Sequence, residues 1–268
     1  MNLPVEVLEA VNKGKCLLFV GPVFSHEAAE EAGSSYPDGK TLAKALGWNK
    51  ARRIMGVRTQ KKIIVPSPMD GATKFEAEHG REKLCSEIRS MVGVENVSPL
   101  ESHKTALKRF PLIFTTNVDN LLERAGEEMG GKPTVCLRND EVPSPDPAKE
   151  RVVYKLWGDL DSPESLVLTQ ADHQRLDFSK DIRRQMRTLI RRNVVFFVGY
   201  RPDEENFERL WSDLTTCYGG ELPRCHMAVA QGKINDYLWQ KWVWRGLLMF
   251  TADPGECMEE LERRIDKG

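Results

Sequence analysis

The fold is decided by residues 110–126, which read F-P-L-I-F-T-T-N-V-D-N-L-L-E-R-A-G. The apolar run at its start predicts a buried strand, T-T-N-V-D predicts a polar turn, and the remainder predicts a helix that ends at a glycine. Ligands of open α/β sheets lie at such carboxyl ends of strands. The turn therefore offers an amide, a carboxylate and two hydroxyls to a small molecule, although helix capping by Asn117 or Asp119 explains the same pattern.

Similar apolar segments alternate with helical patterns along the whole chain. This alternation predicts an α/β fold with a Rossmann-like, doubly wound and mostly parallel sheet, formed as a single domain by residues 1–268. The predicted strands are Cys16–Val20, Leu112–Phe114, Val152–Leu156, Leu166–Leu168, Val194–Val198, His226–Ala230 and Leu247–Phe250. The predicted helices lie near 26–32, 75–91, 100–109, 118–128, 170–191, 203–216, 233–244 and 255–265.

One stretch interrupts the alternation. Residues 34 to about 72 are rich in proline, glycine and basic residues, and together with the helices up to residue 109 they separate the first strand from the second. A connection of this length exceeds an ordinary crossover. We therefore expect residues 34–109 to form a small helical insertion, or lid, over the ligand edge of the sheet.

Composition narrows the class of protein. The 268 residues carry a formal net charge of -1, which favours no nucleic-acid partner. No apolar run reaches transmembrane length and no signal-peptide pattern is visible, so we expect a cytoplasmic location without membrane contact. The six cysteines include no C-x-x-C pair, which predicts that no structural zinc is bound. Tryptophans 239, 242 and 244 pack a helix on the sheet or form an interface with a protein partner or a second copy.

Three further strands are followed at once by glycine or by a polar loop. Glycine permits a tight turn and lets the backbone approach a ligand closely. The three motifs read F-V-G-P-V-F-S at 19–25, Y-K-L-W-G-D-L at 154–160 and F-V-G-Y-R-P-D-E-E-N-F at 197–207. Because the carboxyl ends of parallel strands meet at one edge, we expect these motifs and the T-T-N-V-D turn to converge on one crevice.

Taken together and in this order, the motifs resemble those of the sirtuin-like (silent information regulator-like) family, in its zinc-free prokaryotic NAD-hydrolase branch, many of whose members act in antiphage defence. The family pattern T-T-N-x-D-x-L-x-E is intact at residues 115–123, and Y-K-L-H-G-D matches residues 154–159 except at Trp157. Further matches are Pro163, Leu168, Thr169, Phe197, Gly199, Tyr200 and Asn206.

The resemblance implies an NAD pocket beneath a small helical module, with NAD or an ADP-ribose-like ligand and no metal. By this resemblance Asn117 and Asp119 face the nicotinamide riboside. The phosphate side is implied to be lined by Gly21 and Ser25, and the adenosine side by Gly199 and Tyr200. Thr115, Thr116, Gly158 and Arg201 complete the expected cofactor-binding set.

The departures from the family pattern affect positions implied in catalysis and in phosphate binding. Trp157 stands at the position of the family's catalytic histidine, and an indole donates a hydrogen bond but offers no titratable base. Pro22 and Val23 replace alanine and glycine in the first motif, and proline removes one N–H that a phosphate would use. Arg201 replaces a serine and would still bind phosphate. His26 and the carboxylates Asp119 and Asp159 are the alternative bases.

Three hypotheses follow from these motifs. The first is a pocket that binds NAD or an ADP-ribose-type nucleotide, with cleavage of the N-glycosidic bond impaired or absent because of Trp157. The second is an active NAD+ glycohydrolase that uses Asn117 and Asp119. The third is a non-catalytic structural or assembly subunit with a closed pocket. The degenerate motifs favour the first or third, and the intact T-T-N-V-D turn favours the first over the third.

Overall fold

A computed structural model describes residues 3–47, 67–138, 140–143, 145–146, 149–175, 179–223, 225–229 and 234–267. Within these residues seven strands form one sheet with the order β3-β4-β2-β1-β5-β6-β7, and each of its strand pairs is parallel. The strands are β1 Cys16–Val20, β2 Leu112–Thr115, β3 Thr134–Leu137, β4 Val152–Lys155, β5 Val194–Val198, β6 Cys225–Val229 and β7 Leu247–Thr251. The predicted α/β fold with a parallel sheet is confirmed.

Successive side chains of the central strands point to opposite faces of the sheet, and a hydrophobic core forms on each face. In β1, Leu17 and Phe19 join one core, whereas Leu18 and Val20 join the other. All five residues of β1 are buried, as expected for a strand covered on both faces. The sheet is therefore doubly wound, with helices packed on both sides.

Twelve α-helices flank the sheet within the described part of the chain. They are α1 Val5–Asn12, α2 Val23–Glu31, α3 Gly39–Ala45, α4 Pro68–His79, α5 Arg81–Val92, α6 Glu101–Arg109, α7 Leu121–Glu128, α8 Gln170–Arg175, α9 Lys180–Arg192, α10 Glu205–Tyr218, α11 Asp236–Trp244 and α12 Pro254–Ile265. Helices α3 to α6 lie between β1 and β2 in the chain, and a third hydrophobic core joins residues of α3, α4 and α5 to Leu121 and Leu160. The middle of the predicted insertion, residues 48–66, lies outside the described residues.

Several predicted elements differ from the structure. The helix predicted at 75–91 is two helices, because Gly80 adopts φ 85° and ends α4 before α5 begins. Leu166–Leu168, predicted as a strand, pairs with no strand of the described sheet; Val167 N donates instead to Trp157 O at 3.0 Å. Helices α1 and α3 and the strand β3 were not predicted. None of the described helices is long and apolar enough to span a membrane.

Candidate functional site

The four motifs lie at one edge of the sheet, as predicted. Their strands are neighbours in the order β4-β2-β1-β5. Gly21 N donates to Val198 O at 2.9 Å, and the Asn117 side-chain amide donates to Gly21 O at 3.2 Å. The first, second and fourth motifs are thus bonded directly to one another, and Leu156 N of the third donates to Thr115 O at 2.8 Å.

Asn117 and Asp119 are held in a buried hydrogen-bond network with Ser25 of α2. Asn117 Nδ2 donates to Ser25 Oγ at 2.9 Å, and Ser25 Oγ donates to Asp119 Oδ2 at 2.6 Å. Asp119 Oδ2 also accepts from the Tyr36 hydroxyl at 3.2 Å, while Oδ1 accepts from Leu121 N at 3.2 Å, at the start of α7. Asp119 therefore accepts from the first N–H of α7 and anchors this network at the same time.

The network also determines which way the Asn117 amide points. Nδ2 faces two acceptors, Gly21 O and Ser25 Oγ, so the reversed amide would place oxygen against oxygen. Oδ1 is left buried, without a hydrogen-bond partner among the described residues. Asn117 also lines a cavity, and Oδ1 itself is buried in the wall of that cavity.

The cavity has a volume of about 250 Å³ and lies between the strand ends and the helices of the insertion. Its sheet side includes Pro22, Val23, Thr116, Asn117, Val118 and Trp157, and its helical side includes Leu42, Leu46, Met69, Ala72, Ile88 and Val92. Arg201, Glu204 and Asn206 of the fourth motif line its rim. Apolar walls with a few converging polar groups are typical of small-molecule sites.

Trp157 lines this cavity from the loop after β4. Its side chain is nearly buried, with 9% of the residue exposed. The indole Nε1 is buried and has no hydrogen-bond partner among the described residues. Trp157 and Asn117 therefore both line the cavity, and each has one buried polar atom without a partner among the described residues.

Seven of the residues predicted to bind cofactor are not among those that line the cavity: Gly21, Ser25, Thr115, Asp119, Gly158, Gly199 and Tyr200. A Cβ at Gly21 would lie 2.5 Å from Gly199 O and 2.7 Å from the Tyr200 ring, so this glycine allows two strand ends to pack. The Tyr200 hydroxyl donates to Val20 O at 2.8 Å. Gly21, Gly199 and Tyr200 thus pack the ends of β1 and β5 together.

Three backbone amides of the first motif are already hydrogen-bonded within the protein. Val23 N donates to Gly199 O at 3.0 Å and Phe24 N to Gly21 O at 3.2 Å, in addition to the Gly21 bond already described. A phosphate at this turn would have to compete for these donors. Arg201 supplies a positive charge at the cavity rim. This charge is already paired, because the guanidinium lies 3.1 Å from Asp203 and 3.6 Å from Glu204.

A buried lysine beneath the site was missed by the sequence analysis. Lys155 Nζ contacts three oxygens at 2.7 Å each: Asp119 O, Asp159 Oδ2 and Glu123 Oε1. Burial lowers the pKa of Lys155, but the two carboxylates outweigh burial and raise it above its usual value. The sequence did contain a signal for this buried lysine, because Lys155 interrupts the otherwise apolar strand pattern of residues 152–156.

Tyr36, which the sequence analysis did not single out, and His26, one of the alternative bases, both line the cavity. Burial raises the pKa of Tyr36 well above its usual value, and the neighbouring Asp119 carboxylate adds to this shift. Tyr36 therefore stays a hydrogen-bond donor to Asp119. His26 Nδ1 lies 3.4 Å from Glu30 Oε1, and 38% of the His26 side chain is exposed. No sequence pattern connects Tyr36 with Asp119, 83 positions away.

Within the described ranges, no group of three or more histidine, cysteine, aspartate or glutamate side chains is placed to hold a metal ion. The polar side chains that line the cavity are instead two amides, two hydroxyls, an indole, an imidazole and three charged groups: Asn117, Asn206, Thr116, Tyr36, Trp157, His26, Asp38, Arg201 and Glu204. These groups suit hydrogen bonding to an organic ligand.

Known proteins resemble this chain in sequence and in fold. A family model described as the SIR2-like domain matches residues 111–245, half of the chain. The NAD(+) hydrolase ThsA of Enterococcus faecium is 25% identical over 215 residues, covering 77% of this chain and 41% of that protein. The proteins of the same name from Acinetobacter baumannii (strain 532279) and Cytobacillus dafuensis are 23% and 22% identical, covering 68% and 80% of this chain and 37% and 41% of those proteins. The chain thus spans about two fifths of the length of these relatives.

A solved structure from work described as "Structural Basis for the Mechanism and Regulation of Sir2 Enzymes" covers 99% of this chain, and the match covers 98% of that structure. The TM-score is 0.51 at 11% sequence identity, so this likeness shows the fold alone. The family model matches the part of the chain that carries the second, third and fourth motifs, including Asn117, Asp119 and Trp157. The recognition made from the motifs is confirmed, and the chain belongs to the SIR2-like family.

Proposed function

We propose that this protein binds NAD or an ADP-ribose-type nucleotide in the cavity at the carboxyl edge of its sheet, and that Trp157 impairs cleavage of the N-glycosidic bond. The observation that carries this proposal is the buried, unpaired Oδ1 of Asn117. Leaving a buried acceptor unpaired costs about 1–3 kcal/mol. A ligand that donates a hydrogen bond to Oδ1 recovers that free energy.

Two further findings support a nucleotide as the ligand. The chain belongs to the SIR2-like family, and several similar proteins carry the name NAD(+) hydrolase. The cavity also lies at the carboxyl ends of adjacent parallel strands, where nucleotides bind to sheets of this kind. The cytoplasmic location, the antiphage role and a protein or homo-oligomeric partner stay predictions.

The proposed loss of cleavage follows from the chemistry of the indole. A general base typically contributes a factor of about 10² to 10⁴ to a rate, and Trp157 offers none. Asp119 already accepts hydrogen bonds from Ser25, Tyr36 and Leu121. Those donors occupy both of its oxygens, and Asp119 does not line the cavity, so it is poorly placed to take a proton from a ligand there.

Calorimetric titration with NAD and with ADP-ribose tests the binding proposal. We expect Asn117→Ala to weaken binding of at least one of them by about tenfold, because it removes the cavity acceptor. Asn120→Ala is the matched control: its side chain lies 3.5 Å from Asp161 Oδ2 and is not part of the cavity wall. Equal affinity in wild type and Asn117→Ala, or the absence of binding, would contradict the proposal.

The second candidate is an active NAD+ hydrolase, and the names of the similar proteins favour it. Nicotinamide release from NAD separates it from the first candidate. If residue 157 blocks the chemistry, Trp157→His supplies a base near pH 6.5 and should raise the rate at least tenfold, about 1.4 kcal/mol of barrier. Asn117→Ala in that background should abolish the gain. Rapid release by wild type that Trp157→His does not increase would establish the second candidate.

A further inference from the structure

Helix α9 presents a row of basic side chains to solvent. Its thirteen residues include six lysines or arginines and one aspartate, while its buried residues Ile182, Met186 and Ile190 pack into the core. Away from the core lie four exposed cations whose spacing of i, i+4, i+7 and i+11 places them on one side of the helix: Lys180, Arg184, Arg187 and Arg191. At 1.5 Å per residue this row, the α9 stripe, is about 16 Å long.

Charge is separated across the two faces of the sheet. Helix α9 packs into the core on one face, whereas α1 and α2 pack into the core on the other and together carry five glutamates and no lysine or arginine. Among the described residues, only Arg184 of the α9 stripe pairs with a carboxylate, that of Asp181 at 3.2 Å. The net charge of the whole chain therefore does not describe the face that carries α9.

The α9 stripe leads to a second cavity that has an exposed indole at its wall. Arg187 Nε donates to Cys217 O at 3.4 Å, and a Cβ at Gly219 would lie 2.7 Å from Arg187 Nη2, so the guanidinium lies against this glycine. Gly219 and Gly220 line a cavity of about 460 Å³. Trp244, at the end of α11, lines the same cavity and is 83% exposed. The stripe, the glycine turn and the indole thus form one continuous surface.

This surface matches a ligand that carries a row of anions and flat rings with free faces. The planar guanidinium of arginine suits phosphate, and exposed aromatic side chains stack on nucleobases. A single strand of nucleic acid combines both features, because its phosphates repeat along the chain and its bases are free to stack. A duplex offers the phosphates but covers the faces of its bases. Glu221 and Arg245, which also line the cavity, have opposite charges, so the α9 stripe supplies the positive field.

We propose that the α9 stripe and the cavity beside Trp244 bind single-stranded nucleic acid, with phosphates on the four cations of the stripe and a base stacked on the indole. Such contacts tolerate many sequences, because neither phosphates nor stacking identify a base. None of these residues lines the cavity at the carboxyl edge of the sheet. The inference therefore goes beyond the proposed function and is independent of it.

Two other anionic partners fit the surface less well. An acidic polypeptide would pair with the arginines but would leave the indole of Trp244 without a base to stack on. A helix that binds a lipid surface turns apolar side chains toward the lipid, whereas Ile182, Met186 and Ile190 of α9 are buried in the protein core. The experiment includes both partners as alternatives.

Fluorescence anisotropy with a labelled single-stranded DNA of about 16 nucleotides tests the role of the stripe. We expect the double variant Arg184→Gln/Arg191→Gln to weaken binding about tenfold near 0.1 M salt. Its slope of log affinity against log salt should be less steep by about 1.4, since each lost phosphate contact removes about 0.7. Lys13→Gln/Lys132→Gln removes the same charge at two exposed lysines outside this surface and should change little.

The same titration tests the stacking contact. Trp244→Ala should weaken the single strand at least about fivefold and leave the weaker binding of a duplex unchanged. Tyr237→Ala is the matched control, because Tyr237 is 78% exposed on the same helix but does not line the cavity. Both side chains are largely in solvent, so neither exchange removes core packing.

The remaining outcomes would each overturn the inference. Equal affinity for duplex and single strand, unchanged in Trp244→Ala, would remove the stacking contact. Tighter binding of polyglutamate, or cosedimentation with anionic phospholipid vesicles without binding of DNA, would assign the stripe to a protein or to a membrane. Equal losses in the arginine and lysine double variants would show that only total charge matters. Absence of DNA binding, with NAD or ADP-ribose still bound, would overturn this inference and leave the proposed function standing.

Discussion

At the scale of single residues, Lys155 connects the parts of the site. It is fully buried and joins the turn after β2, helix α7 and the loop after β4 through Asp119, Glu123 and Asp159. We expect Lys155→Met to lower the free energy of unfolding by about 3–5 kcal/mol, because it leaves two buried carboxylates without their cation. Urea denaturation measures the change.

Lys13→Met provides the comparison for that variant. Lys13 forms an ion pair with Glu9 at 3.0 Å in which both side chains are more than half exposed, so its loss should cost less than about 1 kcal/mol. Similar small losses in both variants would show that the three contacts of Lys155 contribute little.

Sequence reasoning located the residues whose position depends on local pattern and missed those that depend on distant partners. Asn117 follows a strand, and that alone places it at the ligand edge. Tyr36 reaches Asp119 from a loop far away in the chain, and no local pattern signals it. Gly21 was expected to line the phosphate side, which stays a prediction; the structure adds that its missing side chain makes room for Gly199 and Tyr200. Such close approaches emerge only from the packed strand ends.

The same division applies to the helices and strands. Central strands such as β1 are continuous apolar runs and were predicted nearly to the residue. The edge strand β3 is exposed or only partly buried along its length, and it was not predicted although Val135, Cys136 and Leu137 are apolar. Gly80 separates α4 from α5, but a glycine within a helical pattern does not by itself show a break. Strands were readable where burial on both faces imposed a continuous apolar run, whereas the break between α4 and α5 was not.

At the scale of elements, the contact between α2 and α12 should make stability depend on pH. Glu27 of α2 accepts a hydrogen bond from Gly255 N at 3.1 Å, at the start of α12. Burial raises the pKa of Glu27 to about 7 despite this bond, and Asp253, Glu30 and Glu256 add repulsion. The folded state thus favours the protonated carboxyl. The stability that this protonated carboxyl contributes is fully present below its pKa in the unfolded chain, near 4.5, and is lost as the pH rises through about 7.

Glu27→Gln removes this titration. Between pH 4.5 and pH 7.5, we expect the free energy of unfolding of the variant to rise by about 1–2 kcal/mol relative to that of wild type. This energy is smaller than the full linkage value because Glu27 is partly exposed. Urea midpoints across this range measure the difference. Glu31→Gln, at an exposed position of the same helix, should show little relative change. If the difference in unfolding free energy between Glu27→Gln and wild type stayed constant with pH, Glu27 would not titrate in this pH range.

At the scale of the whole molecule, the cavity belongs to two parts of the chain. Residues at the strand ends form one wall, and Leu42, Met69 and Ile88 of the helical insertion form the other. The insertion contacts the sheet side through a hydrophobic core that includes Leu121 and Leu160. A ligand in the cavity would therefore touch both parts at once, which is what the lid prediction requires.

Hydrogen exchange with and without ADP-ribose tests that prediction. A ligand held between both walls stabilises the closed arrangement by mass action and should slow exchange in α3, α4 and α5 as well as in the turn at 115–119. Helix α9, whose residues do not line the cavity, is the internal reference. Protection confined to the turn, with exchange in α3 to α5 unchanged at saturating ligand, would mean that the nucleotide is bound by the strand ends alone. The insertion would then be a structural addition to the sheet and not its lid.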